Sequence, residues 1–168
     1  MRGVMVLALA MAVSITSWAS ASPVDPADAW RPLYTYVGTW KGTRVGADGP
    51  LKLTRVYAST SANRYLQITE TGSDRSRTEV RGVVSLDTQR GVLVLHLYAV
   101  DGSASDLALD PAASTNGNVV FASQDSEPTR TRVTYEHTGS KSFVERIEHA
   151  AGGEPFTLVS ETRFERKD

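Results

Sequence analysis

The amino-acid sequence predicts an all-β domain, about ten antiparallel strands in an up-and-down barrel with a short N-terminal helix. Three observations point there. Apolar and polar residues alternate with period two over most of the chain after Val37. Turn-forming residues punctuate that alternation about every ten positions. The connections are too short for parallel crossovers, which need a dozen or more residues and usually a helix. A flat meander of this many strands would leave two unpaired edges, and closure into a barrel removes them. A sandwich is the alternative, but it brings longer Greek-key links between some strands.

Taken in order, residues 1–21 have the layout of a secretory signal. Arg2 is the positive start, Val4 to Ile15 is an uncharged apolar run, and Ala19-Ser20-Ala21 places small residues for cleavage after Ala21. The run is shorter than the roughly 20 residues of a spanning helix, and Pro23 and Pro26 would stop its continuation. No cysteine follows it for lipid attachment. The expectation is a periplasmic or secreted protein with no membrane association once the signal is removed. Residues 22–36 form an N-terminal segment. Asp25 before Pro26 is a good helix start, so a short helix runs from Pro26 towards Tyr36, broken near Pro32.

The barrel domain is expected over 37–168. Its predicted strands are Val37–Val45, Leu51–Ala58, Arg64–Thr71, Thr78–Leu86, Val92–Val100, Ser105–Leu109, Val119–Ser123, Arg130–His137, Ser142–His149 and Phe156–Arg166. Gly46 to Pro50, Gly72-Ser73-Asp74, Asp87 to Gly91 and Asp101-Gly102 supply turns. Val92–Val100 is apolar on both faces, which requires one face inside and the other covered. The N-terminal helix, through Trp30, Leu33 and Tyr34, is the expected cover, and a homodimer interface is the second choice. A monomer and a homodimer both stay open.

Composition narrows the function classes. The 18 basic and 19 acidic residues nearly balance and form no long block of one sign, so a general nucleic-acid binder is not expected. With no cysteine there is no disulfide scaffold, thiolate nucleophile or cysteine metal site. The domain must be held by its core alone, which is feasible at this length.

One motif carries more. Val37-Gly38-Thr39-Trp40-Lys41-Gly42 has a Gly-x-Trp-x-Gly pattern on the first strand, just after the short helix. Leu86-Asp87, Asp101-Gly102 and Glu161-Thr162-Arg163-Phe164-Glu165-Arg166 follow at later turns and on the last strand. In this order the motifs resemble the calycin-type, lipocalin-like barrels. They resemble most the bacterial DUF1579-like family, and more distantly the nitrobindin-like haem barrels. The resemblance implies a barrel whose tryptophan plugs one end, with an arginine near the chain end lying across it. Arg166 is the first candidate for that arginine and Arg163 the second. A guanidinium over an indole face is worth about 0.5–2 kcal/mol. Gly38 and Gly42 would let a ring or backbone lie close. Gly38, Trp40, Gly42 and Arg166 are therefore structural, not catalytic.

The remaining candidates are few. His96, His137 and His149 lack the spacing of a helical zinc site, so no metal is expected. His96 shares a strand face with Val94 and Tyr98, and if that face points inward these three line the cavity. Haem is disfavoured as a cofactor. The last strand has no histidine, and Gly42-Thr43-Arg44 lacks the third glycine of the haem barrels. No Gly-x-Ser-x-Gly elbow marks a hydrolase serine, so no catalytic residue is assigned. Glu145 and Glu148 read as surface charge. The leading expectation is a carrier of a small, mostly apolar molecule, which would require an enclosed cavity of roughly a few hundred Å³. The alternatives are an enzyme using a cavity residue such as His96, and a ligand-free structural or interaction module.

Overall fold

The computed structural model describes residues 26–46, 49–60, 64–72, 78–98, 102–115, 117–124 and 128–168. The expected signal segment 1–21, its cleavage point after Ala21, and Asp101 of the Asp-Gly turn lie outside the described residues. A helix α1 (Pro26–Trp30) runs straight into a 3₁₀ segment (Arg31–Tyr36) in which Pro32 sits at the start. Ten strands follow: β1 (Gly38–Gly46), β2 (Gly49–Thr60), β3 (Tyr65–Gly72), β4 (Thr78–Asp87), β5 (Val92–Tyr98), β6 (Ala104–Leu109), β7 (Val119–Ala122), β8 (Thr129–Gly139), β9 (Ser142–Ala151) and β10 (Thr157–Arg166). Each pairs antiparallel with its neighbours in sequence, and β1 pairs with β10 to close the barrel.

Alternation decides what lies inside. On β2 the buried residues are Leu53, Arg55 and Tyr57; on β3 they are Leu66, Ile68 and Glu70. Leu93 and Leu95 on β5, Leu107 on β6, Phe121 on β7, Val133 and Tyr135 on β8, Phe143 on β9 and Phe164 on β10 also lie in the interior. Among the described residues three register shifts interrupt the ladder. One of them leaves Arg81 of β4 as the extra residue, between the pairs Ile68–Gly82 and Thr69–Val80. A bulge of this kind re-aims a side chain.

The N-terminal segment packs α1 against β5 and fills one end of the barrel. Leu33 and Tyr36 are buried there, and Leu33 reaches the interior beside Leu66, Ile68 and Val84. Trp30 is buried near Tyr65 and Leu66, while Tyr34 stays exposed. No helix among the described residues is long and apolar enough to cross a membrane.

Candidate functional site

At the sealed end, Trp40 is 1% exposed and donates its indole N–H to the carbonyl of Tyr36 at 2.7 Å. The Arg166 guanidinium lies 4.7 Å from the Trp40 ring centroid and donates to the carbonyls of Thr35 (2.8 Å) and Val37 (3.3 Å). Gly38 has φ +133° and sits under that guanidinium. Tyr36, Trp40, Tyr57, Tyr135 and Phe143 form a ring cluster beneath, and Phe143 stacks on Phe164 at 4.6 Å. Burial, reinforced by Tyr57, raises the Tyr36 phenol far above its ordinary range, and its hydroxyl has no hydrogen-bond partner. The enclosed space beside it, bounded by Leu33, Tyr57, Phe121 and Tyr135, measures about 10 Å³. That is room for about one water. Among the described residues this space is filled by side chains.

Towards the far end the interior becomes charged. Arg55, 1% exposed, bridges two carboxylates. It donates to Glu70 through Nη2 (2.7 Å) and Nε (3.1 Å), and to Glu145 through Nη2 (2.9 Å) and Nη1. Nη1 also meets the Tyr57 hydroxyl at 3.1 Å, and the guanidinium lies 4.5 Å from the Phe164 ring. Arg44 Nη2 lies 2.7 Å from both oxygens of Glu70, and Arg44 Nε lies 3.4 Å from Thr162 Oγ1. Arg81 completes the group, with Nε 3.8 Å from Glu70 and no hydrogen-bond partner for that buried nitrogen. Burial would raise the Glu70 carboxyl, but Arg55, Arg81 and Arg44 together hold it below its ordinary value. Burial likewise opposes charge on Arg55, and Glu145, Tyr57 and Glu70 outweigh it. Burial pushes the Tyr57 phenol up to about 12. Among the described residues, three guanidiniums thus face two carboxylates inside the barrel.

None of these charged residues was expected inside. Glu145, read as surface charge, is 4% exposed. Glu148 does lie on the outside, paired with Arg132 at 2.8 and 2.9 Å. The expected cavity residues are also corrected. The inward residues of β5 are Leu93, Leu95 and Leu97; Val94, His96 and Tyr98 share the opposite face, where Val94 is 9% and Tyr98 44% exposed. His96 is instead the middle of an outer-face chain. Its Nε2 lies 3.0 Å from Ser85 Oγ, and its Nδ1 lies 2.7 Å from Asp106 Oδ1. These three side chains line a surface groove of about 330 Å³ with Asp87, Arg90, Val94, Ala108 and Gln124.

No family model and no curated protein matches the chain. Solved structures of similar fold exist. The S-type phycobiliprotein lyase CPES from Guillardia theta is 13% identical, with 80% of this chain and 89% of that one covered and a TM-score of 0.51. Rv2717c from M. tuberculosis is 12% identical, with 86% and 100% covered and a TM-score of 0.55. At such identity the likeness is one of fold.

Proposed function

We infer that this barrel is an exported binder of one small organic acid, whose anionic group is received at the far end between Arg44 and Arg81. The carrying observation is the uneven charge of the interior. Among the described residues three guanidiniums meet two carboxylates, and Arg81 Nε is buried with no hydrogen-bond partner. A buried donor without an acceptor costs about 1–3 kcal/mol, and an anionic ligand would supply the acceptor. Arg44 and Arg81 keep 17% and 15% of their side-chain surface exposed, so they are within reach of a guest that Arg55 is not. The half-buried Leu97 and Ile147 offer the apolar part of the ligand a surface. The ligand reading thus keeps the apolar body expected from sequence and adds an acid.

Delivery to the periplasm or outside the cell belongs to the same reading and rests on the signal layout of residues 1–21. Placement in the DUF1579-like family rests on Gly38-Thr39-Trp40-Lys41-Gly42 and the Glu161–Arg166 strand. Fold likeness to a phycobiliprotein lyase names no ligand for this chain. A ligand-free structural role is the second reading, favoured by how completely Arg55, Glu70 and Glu145 satisfy one another.

Thermal unfolding with octanoate and with octanol separates them. A ligand present at a hundred times its Kd stabilises by about 2.7 kcal/mol. Octanoate is expected to raise the midpoint well above octanol at equal concentration, and Arg81→Gln is expected to remove the difference. Equal shifts, or none with either compound, would sink the organic-acid reading and leave the structural one.

A further inference from the structure

The outer face of β4, β5 and β6 takes no part in the inner network, yet it holds a hydrogen-bonded relay. We propose that Ser85 is a nucleophile, activated by His96 and oriented through Asp106, that accepts the acyl group of small carboxylic esters. Strand register builds the relay. His96 lies directly opposite Asp106 across β5–β6. Ser85 pairs with Val94, which sets it diagonal to His96 on the same face. A carboxylate can only accept, so Nδ1 of His96 carries the hydrogen that Asp106 receives at 2.7 Å. In the neutral ring Nε2 then accepts from the Ser85 hydroxyl at 3.0 Å. A nucleophile bonded to a base that is itself held by a third group is the arrangement that acyl transfer requires.

The groove around the relay suits such a substrate. Val94 and Ala108 give it an apolar surface for a short acyl chain, and Arg90 and Gln124 add N–H donors for an oxyanion. The Asp87 carboxylate accepts from the backbone N–H groups of Gln89 and Arg90, which fixes the turn that carries Arg90. In the reaction the Ser85 Oγ–C bond forms as its proton passes to His96 Nε2. The ester C–O bond then breaks, and the departing alkoxide takes that proton. Water repeats the sequence in reverse roles, so ester and water become acid and alcohol. The 2.7 Å bond to Asp106 fixes the imidazole orientation, but Asp106 is 72% exposed and supplies no buried charge. The geometry therefore points to slow turnover.

The test is labelling of the full chain by a fluorophosphonate probe, read by intact mass and peptide mapping, alongside hydrolysis of p-nitrophenyl acetate. One adduct at Ser85 is expected in the folded protein and none after denaturation. General-base help is worth about 10²-fold or more in enzymes. With an exposed aspartate, His96→Ala is expected to slow labelling about ten-fold or more, and added imidazole to restore part of it. Asp106→Asn, which keeps the size of the side chain, should slow labelling less. No adduct at Ser85, equal labelling when the probe is added to the already unfolded chain, or a folded His96→Ala protein that labels at the native rate would overturn the proposal.

Discussion

A methyl group added at Gly42 would sit 2.6 Å from Cε1 of Phe164 and 2.9 Å from Cδ1 of Leu53. Phe164 is fully buried, stacked on Phe143 and beneath the Arg55 guanidinium, so it has little room to yield. Gly42→Ala is therefore expected to cost about 1–3 kcal/mol in urea unfolding, as overpacking does. Gly153→Ala, with nothing within 4 Å of the added carbon, serves as the control and should change little. This seal was legible because Gly38, Trp40 and Gly42 are types that announce themselves. The charged interior was not, for a simple reason: an arginine or glutamate in an alternating strand reads as an outward residue. The available signal was phase. Arg55 falls between Leu53 and Tyr57, Glu70 follows Leu66 and Ile68, and Glu145 follows Phe143, each in step with core residues. The Ser85 relay had a signal as well. The Asp101-Gly102 turn expected from sequence would pair residues equidistant from position 101, and β5 and β6 do pair His96 with Asp106.

At the scale of elements, the strands followed from alternation and turn chemistry, and they differ from expectation mainly by a residue or two at their ends. The N-terminal segment was harder. Its apolar residues say that it must be covered, but not which surface it covers. What holds it is partly His137 of β8, whose Nε2 lies 3.0 Å from Thr35 Oγ1 and whose ring stacks on Tyr36 at 4.8 Å. Burial lowers the pKa of this imidazole from 6.5. The folded protein then binds the proton less readily than the unfolded chain. Its stability is complete above about pH 6.5 and declines as pH falls through that value. Hydrogen exchange of the 31–36 amides should accelerate between about pH 7.5 and 5.5 beyond the intrinsic pH effect. His137→Gln should abolish that excess. An unchanged excess in the variant would assign it to another group.

For the whole molecule the Arg55 bridge dominates. Removing one partner of a buried pair costs about 3–5 kcal/mol, because the other charge is left without compensation. Arg55→Met would leave Glu70 and Glu145 with no bridge between them and is expected to lose stability on that scale at pH 7. The pH response separates native from variant. The native Glu70 carboxyl lies below its ordinary 4.5, so its contribution is present above that value and lost as pH falls further. The native protein should therefore weaken below about pH 4.5, whereas Arg55→Met should recover relative to it there as Glu70 takes up a proton. Parallel pH curves for the two proteins would show that the bridge does not set acid stability.

The pairing of Trp40 with Arg166 has a consequence in time. These residues stand near opposite ends of the described chain, and joining them is the longest-range step in the ladder. Until it happens, β1 and β10 both expose a row of unpaired backbone groups. The nearly complete chain is thus more open to joining a second copy than the finished barrel is.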